Sequence, residues 1–334
     1  MFSKGSASGW LAKAATRFSF IVLCACAAHA QKASPASAEK VTWDSILCPL
    51  GHDCRKMPGQ GFLFATPGAK AAVMISHGSQ GIDSRMYDYV DALQKEGFAA
   101  LVIDHWTPRG ITVTHDDYAA ASLKGGNTFN MAADSLTAAD FLRTRGYAKV
   151  GSIGESQGGS SAYMMQQKFA HGAIERTVRR LYAKDFVLKP VDAVVGLYGG
   201  CGYRNAKRDA YVATPFLMIT GEKDDETPSR YCEKYVAWMN ERGGNAKIHV
   251  MPGEGHSFDA PYSQRWAFGP HYAKCDILVD ENGTTELNSG RKMPGDDVNA
   301  MMLTCIGKGY HTGHTGHRFD AFPIWLEFFR KNLL

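Results

Sequence analysis

One serine in this 334-residue chain has the surroundings of a catalytic nucleophile. Ser156 follows an apolar run at residues 150–153 and precedes a helical pattern, in the segment Gly154-Glu155-Ser156-Gln157-Gly158-Gly159. A turn this sharp needs glycine neighbours to avoid backbone clashes, and it lifts the serine hydroxyl out of a sheet. The amide groups of the following helix favour negative charge. The segment therefore predicts a nucleophile that attacks a carbonyl carbon.

A serine nucleophile requires a base and an acid, and candidates for both follow later apolar runs. The run at 216–220 leads into a polar segment that contains Asp224 and Asp225, and the run at 247–251 leads to His256. Polar residues just beyond the carboxyl ends of parallel strands converge at one edge of an α/β sheet. We expect His256 to be the general base, with Asp224 or Asp225 as the acid. A histidine of ordinary pKa predicts a rate that rises with an apparent pKa of about 6–7.5.

The elements that must position these residues can be read from the alternation of apolar runs and helical patterns. Strands are predicted at residues 61–66, 71–76, 99–103, 150–153, 193–197, 216–220 and 247–251. Helices are predicted at residues 84–96, 131–144, 160–170, 228–242 and 319–331. Short, β-branched runs joined by helices are typical of parallel strands that are covered on both faces. The pattern predicts an α/β fold with a doubly wound, mostly parallel sheet and helices on both faces.

Five segments in this order resemble those of the dienelactone hydrolase-like branch of the α/β-hydrolase superfamily. They are Ser76-His77-Gly78, Asp104-His105-Trp106-Thr107-Pro108-Arg109-Gly110, the segment around Ser156, Gly221-x-x-Asp224-Asp225-x-x-Pro228 and Gly253-Glu254-Gly255-His256-Ser257-Phe258. The resemblance covers residues 61–258 and the last helix, and it implies an α/β-hydrolase fold with hydrolytic chemistry. The founding enzymes use cysteine where this chain has Ser156, so fold and hydrolysis transfer better than a lactone substrate.

The resemblance also implies roles for individual residues. Asp224 has the family's spacing, three residues after Gly221 and four before Pro228, and is favoured as the acid. Asp225 is then a loop or helix-start residue. The family's geometry assigns the oxyanion donors to the backbone amides of Gln157 and Ser79.

Further residues of the same motifs are candidates for contact with a substrate. These are His77, Trp106 and Arg109. Arg109 could bind a substrate carboxylate as a bidentate donor, although we favour a role in holding its own loop through Asp104. Glu155, next to the nucleophile, is predicted to be a buried and paired structural carboxylate rather than an acid catalyst.

The first 30 residues read as a secretory signal peptide. Lys4, Lys13 and Arg17 precede an apolar stretch at residues 18–28, and Ala28-His29-Ala30 forms a small-x-small cleavage site. The stretch is too short to span a membrane, and a lipoprotein signal at Cys26 is the alternative. We expect an exported protein, periplasmic or extracellular. Its formal net charge of +4 includes three basic residues of the leader, so neither nucleic acid nor anionic lipid is predicted as a partner.

The remaining chain predicts a linker at residues 31–40 and one domain at residues 41–334 with a late insertion at about 260–318. The insertion has no clear periodicity, and we expect a partly ordered lid. Six cysteines lie beyond the leader, an even number that favours disulfides in an exported chain. The expected pairs are Cys48–Cys54, Cys201–Cys232 and Cys275–Cys305, among fifteen possible pairings, and buried free thiols are the alternative.

His311, His314 and His317 recur at every third residue of the late insertion. Such a repeat could bind a metal, but no cysteine or carboxylate with matching spacing accompanies it. An exposed, flexible loop is favoured, and we expect neither a metal nor a cofactor.

Together these features predict a serine hydrolase that cleaves small carboxylic esters or lactones through an acyl-enzyme. A peptidase or amidase with the same triad is the first alternative. A hydrolase-fold binding protein without turnover is the second, although no triad residue is missing. The oligomeric state is not predicted.

Overall fold

The computed structural model describes residues 32–49, 52–112, 118–295, 298–313, 315 and 319–334. Of residues 118, 119, 266, 267, 270, 299 and 311 it describes the backbone alone. Residues 32–334 form one compact unit.

An eight-stranded sheet forms the centre of this unit. The strands of the described chain are β1 (Glu39–Leu47), β2 (Arg55–Phe64), β3 (Ala71–Ser76), β4 (Ala99–Ile103), β5 (Lys149–Glu155), β6 (Ala193–Leu197), β7 (Tyr203–Asn205), β8 (Pro215–Gly221), β9 (Asn245–Met251), β10 (Trp266–His271), β11 (Ile277–Asp280), β12 (Gly283–Glu286), β13 (Lys292–Met293) and β14 (Gly307–Thr312). The central sheet has the order β1-β2-β4-β3-β5-β6-β8-β9. β1 and β2 are antiparallel, and the six strands from β4 to β9 in this order run parallel.

Helices cover both faces of the sheet. They are α1 (Ser84–Lys95), α2 (Tyr118–Leu123), α3 (Thr128–Thr144), α4 (Gln157–Met164), α5 (Lys168–Tyr182), α6 (Ser229–Asn240), α7 (Val298–Met302) and α8 (Phe322–Leu333). One apolar cluster joins the sheet to α1 and α8, and another joins its opposite face to α3, α4, α5 and α6. Because both faces are covered, β3, β4 and β6 are buried along their whole length. The predicted doubly wound α/β-hydrolase fold is confirmed.

Two sequence predictions at the level of elements are wrong. Residues 32–40 are no free linker, because β1 begins at Glu39 and the amide of Ala33 donates to Asp91 at 2.8 Å. β1 was missed since it is an antiparallel outer strand whose first half alternates between exposed and buried residues. The helix predicted at 160–170 is two helices, α4 and α5, separated by residues 165–167.

The late insertion is more ordered than expected. β10 pairs with β14, while β11 and β12 join β13 and β7 in a four-stranded sheet. Parallel pairing of Ile277 with Tyr203 attaches this sheet to the segment that follows β6. The structure contains all three expected disulfides, and Cys275–Cys305 lies within the insertion. None of the helices described is long and apolar enough to cross a membrane.

Candidate active site

Ser156 occupies a strained turn between β5 and α4. Its backbone has φ 51° and ψ −111°, a combination that residues other than glycine rarely adopt. A Cβ on Gly154 would lie 2.2 Å from the carbonyl oxygen of Gly158, and one on Gly158 would lie 2.3 Å from that of Ser76. Glycine at both positions therefore lets the strand and helix approach closely, and the turn presents the serine side chain at the carboxyl edge of the sheet.

His256 and Asp224 approach this serine from the loops that follow β9 and β8. The Oγ of Ser156 lies 2.9 Å from Nε2 of His256, and Nδ1 of His256 lies 3.0 Å from Oδ2 of Asp224. Thr227 orients the carboxylate, because its amide and its hydroxyl each donate to Asp224 at 2.8 Å. The three predicted side chains thus form a continuous chain of hydrogen bonds. Sequence reasoning missed Thr227, although its place three residues after an aspartate is typical of side-chain capping.

The neighbouring Asp225 points away from the histidine. Its carboxylate accepts from the amide of Thr312 at 2.9 and 3.1 Å and from the hydroxyl of the same residue at 3.3 Å. Its carbonyl oxygen lies 3.2 Å from Nδ1 of His271. Asp225 therefore attaches the two strands β10 and β14 to the loop that carries Asp224. The geometry separates the two candidate acids, which the sequence left as alternatives.

A second carboxylate lies close to the histidine. Oε1 of Glu226 is 3.7 Å from Nε2 of His256. Burial of the imidazole disfavours its charge, but the carboxylates of Glu226 and Asp224 outweigh this effect and raise the pKa of His256 to about 9. This pKa lies above the range of about 6–7.5 expected for an ordinary histidine, because that expectation included no carboxylate near the imidazole besides Asp224 or Asp225.

Glu155 belongs to a buried polar cluster next to Ser156. Its Oε1 accepts from the amide of Gly78 at 2.6 Å, and its Oε2 lies 3.1 Å from the hydroxyl of Tyr198 and 3.3 Å from Nη1 of Arg85. Asp259 binds the same tyrosine at 2.5 Å. Burial raises the pKa of Glu155, against the opposing charge of Arg85. The prediction of a buried, paired carboxylate is confirmed, and its bond to Gly78 fixes the loop that leads to Ser79.

Two of the residues predicted to contact a substrate, His77 and Trp106, are buried and do not face the space around Ser156. His77 is fully buried, and burial together with the neighbouring His105 lowers its pKa to about 3. Trp106 is also buried, and its indole donates to the carbonyl of Ser79 at 3.3 Å. Neither residue lines the two cavities at Ser156. Both residues instead pack against each other behind the loop that carries Ser79.

Arg109 holds its own loop, but through a different carboxylate from the one expected. Its Nη1 donates to Oδ2 of Asp134 and to the carbonyl of His105, each at 2.7 Å. The carboxylate of Asp104 instead accepts from backbone amides of Trp106 and Thr107. Arg109 is therefore unavailable for a substrate carboxylate. Asp134 was missed because it lies on α3, 25 residues away, within a helix without a motif.

Two cavities meet at Ser156. The larger has a volume of about 530 Å³ and is lined by His256, Asp83, Tyr262 and Phe268 among others. The smaller has a volume of about 50 Å³ and is lined by residues that include Gln157, Tyr203, Tyr272 and Met302. Ser79, Ser156 and Glu226 line both. The side chain of Gln157 donates to the carbonyl of Gly126 at 2.9 Å and so is turned away from the hydroxyl of Ser156.

The described residues contain no group of three or more His, Cys, Asp or Glu side chains that could hold a metal ion. The predicted histidine repeat is not tested by this observation. His314 and His317 lie outside the described residues, as does the side chain of His311.

Solved structures similar to this chain include several hydrolases. A dienelactone hydrolase-like promiscuous phosphotriesterase from metagenomic libraries is 16% identical, with 66% of this chain and 85% of that chain covered and a TM-score of 0.45. A dienelactone hydrolase from Anabaena variabilis is 21% identical over 66% and 90% of the two chains, with a TM-score of 0.41. A thermophilic esterase from Thermogutta terrifontis is 12% identical over 67% and 84%, with a TM-score of 0.45. No curated protein sequence matches.

A sequence model of the prolyl oligopeptidase family matches residues 88–273, more than half of the chain. The matched region contains Ser156, Asp224 and His256, together with the strands from β4 to β9 that carry them. The chain is a serine hydrolase of the α/β-hydrolase fold and belongs to the prolyl oligopeptidase family.

Proposed function

We propose that the protein cleaves carboxylic esters, with Ser156 as nucleophile, His256 as general base and acid, and Asp224 as the acid that orients the imidazole. The observation that carries this proposal is the hydrogen-bonded chain from Oγ of Ser156 through both nitrogens of His256 to Asp224. A base held within 3 Å of a serine hydroxyl can remove its proton as the oxygen attacks a carbonyl.

The reaction proceeds in two halves. In the first, Oγ of Ser156 bonds to the carbonyl carbon, and its proton moves to Nε2 of His256. The backbone amides of Gln157 and Ser79 stabilise the oxyanion, and the imidazolium then protonates the leaving alcohol as the ester bond breaks. In the second half, water attacks the acyl-enzyme with the same histidine as base. The acid is released, and Ser156 regains its proton.

Hydrolysis of p-nitrophenyl acetate tests this proposal. The Ser156→Ala variant is expected to lose turnover about 10⁴-fold or more, because the covalent intermediate can no longer form. Ser263→Ala is the matched control, since Ser263 is exposed and does not line either cavity. Labelling with a fluorophosphonate, followed by peptide mapping, should modify Ser156 alone. Unchanged turnover in Ser156→Ala, or labelling of another serine, would reject the assignment.

Amide cleavage is the second candidate, because the family to which the chain belongs is named for oligopeptidases. The same three side chains can protonate an amine as they would an alcohol. Paired p-nitroanilide and p-nitrophenyl substrates with one acyl group separate the two activities. A kcat/KM for the anilide equal to or above that for the ester would favour a peptidase. Absence of turnover on both, with no fluorophosphonate labelling, would favour a silent binding protein.

Export is part of the proposal. The three disulfides of the described chain are typical of oxidising compartments such as the periplasm. The signal peptide predicted at residues 1–30 lies outside the described residues. Fractionation of cells that express the full chain, with N-terminal sequencing of the product, tests both points. An uncleaved, cytoplasmic protein would contradict them.

A further inference from the structure

The two cavities at Ser156 have different linings, and we infer from them which half of an ester each cavity would receive. This argument rests on the proposed ester hydrolysis. His256 lines the larger cavity but does not appear in the described lining of the smaller one. Because the imidazolium must reach the leaving oxygen, the alcohol half of the ester has to lie in the larger cavity. Gln157, whose amide is a proposed oxyanion donor, lines the smaller cavity alone. The acyl group therefore enters the smaller cavity.

The smaller cavity limits the length of the acyl group. Its volume of about 50 Å³ is about a tenth of that of the larger cavity, so the smaller cavity favours a short acyl group. An acetyl group is short enough for this space, and we expect longer acyl chains to fit progressively less well. Most of the exposed surface in the cavity is apolar, and Met302 from α7 and Tyr272 are among its walls. These walls come from the late insertion.

The walls of the smaller cavity are held in place from several directions. The amide of Tyr272 donates to the carbonyl of Glu226 at 2.9 Å, and that of Ile277 donates to the carbonyl of Gly202 at 2.7 Å. The Cys275–Cys305 disulfide joins the cavity wall to the turn after α7. The cavity is therefore a fixed pocket that cannot lengthen without movement of the insertion.

The larger cavity suits a bulky, polar alcohol. At about 530 Å³ it lies within the range of cavities that hold molecules of drug size. Its lining exposes more polar than apolar surface, with Gln80, Ser84 and Gln264 among the contributing residues. Two aromatic side chains also line it while remaining largely exposed, Tyr262 at 63% and Phe268 at 57%. This lining matches a ligand ring that carries many hydroxyl groups. The amide and hydroxyl side chains of the protein can bind the ligand's hydroxyls, and the aromatic faces can pack against its C–H groups.

We propose that the protein is a deacetylase of carbohydrate esters, which removes acetyl groups from the hydroxyls of a sugar ring. The acetyl carbon bonds to Oγ of Ser156, and its bond to the sugar oxygen breaks. The serine proton passes through His256 to that oxygen. Water then cleaves the acetyl-enzyme, which yields acetate and restores the serine. No oxidant, metal or further reactant is required.

The acyl half of the proposal is tested with p-nitrophenyl acetate, butyrate, hexanoate and octanoate, which share one leaving group. The wild-type kcat/KM is expected to fall at least about 100-fold from acetate to hexanoate, because the longer chain does not fit. Met302→Ala should raise the hexanoate-to-acetate ratio of kcat/KM at least about 10-fold. Leu303→Ala is the matched control, because Leu303 is 40% exposed and does not line either cavity. Equal kcat/KM for acetate and octanoate in the wild-type protein would overturn the proposal, even if the variant fails to fold.

The alcohol half is tested with acetates of methyl glucoside, cyclohexanol and ethanol, which share one acyl group. We expect the sugar acetate to exceed both others in kcat/KM at least about 10-fold. A Tyr262→Ala/Phe268→Ala double variant should lose more activity on the sugar acetate than on ethyl acetate. Leu287→Ala is the control, because Leu287 is exposed and lines neither cavity. This control should keep the wild-type ratio of sugar acetate to ethyl acetate hydrolysis. Preference for cyclohexyl acetate would overturn the proposal in favour of apolar alcohols. Absence of turnover on every ester would instead reject the proposed ester hydrolysis itself.

Discussion

The carboxyl edge of the central sheet and the late insertion at residues 260–318 meet at the larger cavity, but they are held by different forces. The sheet edge is fixed by continuous ladders of parallel strands and by glycines that permit close backbone approach. The insertion is attached by the parallel pairing of β11 with β7 and by polar contacts, among them those of Asp225 with Thr312 and of Glu254 with Thr315, and it contains one disulfide of its own. The rigid edge carries the proposed chemistry, while the insertion supplies walls of both cavities.

Because of this difference, reactivity and selectivity can change separately in this protein. A substitution at the sheet edge should alter the rate on every substrate by a similar factor. A substitution in the insertion should alter the ratio between substrates, because the walls and not the reacting atoms are affected. The adjacent residues Asp224 and Asp225 provide the sharpest test of that contrast.

The substitution Asp224→Asn should give the largest loss of kcat. Without the carboxylate, the imidazole of His256 is no longer held in the tautomer that accepts the serine proton, and kcat is expected to fall about 10⁴-fold. Asp225→Asn removes a charge at the next position but contacts Thr312 instead, so kcat on p-nitrophenyl acetate should change less than about 10-fold. Steady-state kinetics on both purified variants decide the matter. Similar losses of kcat would show that the two carboxylates are not divided between chemistry and attachment.

Removal of the Cys275–Cys305 disulfide should have a smaller effect, on stability and on the preference for acyl chain length. The bridge closes a loop with a sequence separation of 30 residues, and the double exchange to Ser should lower the free energy of unfolding by about 2–4 kcal/mol. Because the bridge borders the smaller cavity, the ratio of hexanoate to acetate hydrolysis should rise.

Cys201→Ser/Cys232→Ser is the matched control for that experiment. Its separation of 31 residues gives nearly the same entropic effect, but neither cysteine lines a cavity. Urea unfolding measures the stability of both variants, and p-nitrophenyl esters measure their selectivity. A change of acyl preference in the control alone would contradict the division between edge and insertion.

The smallest expected change is a shift in the pH dependence of kcat/KM. Because the neighbouring carboxylates raise the pKa of His256 to about 9, kcat/KM should rise with pH and reach half its limit near that value. Glu226→Gln removes the carboxylate that raises this pKa most, so its profile should shift to lower pH. Profiles of kcat/KM between pH 5 and pH 10 measure the shift. A flat profile, or identical inflections in both proteins, would contradict the role of Glu226.

The same histidine links pH to stability with the opposite sign. A group whose pKa is higher in the folded than in the unfolded protein stabilises the fold most below its unfolded pKa, here 6.5. That contribution is lost as pH rises through about 9. Thermal unfolding should therefore show a loss of stability over the interval in which activity increases, and the loss should be smaller in Glu226→Gln.

The central sheet and the candidate residues at its edge could be predicted from the amino-acid sequence. The strands β3, β4 and β6 match their predicted bounds because a strand covered on both faces must be an uninterrupted apolar run. The turn at Ser156 was readable because the strained backbone of Ser156 and the close approach of Gly154 to Gly158 both lie within a few residues along the chain. Such local constraints leave a direct record in the order of amino acids.

The hydrogen-bond partners of these residues and the walls of the two cavities could be identified only in the folded protein. Arg109 binds Asp134 from α3, and Glu226 lies beside His256, although no spacing in the sequence relates either pair. β10 pairs with β14 across more than 30 intervening residues, so no local pattern in the sequence predicts that the insertion forms a regular structure. The free energy of such contacts depends on which surfaces the folded chain brings together, so side chains far apart in sequence carry no local signal of their pairing.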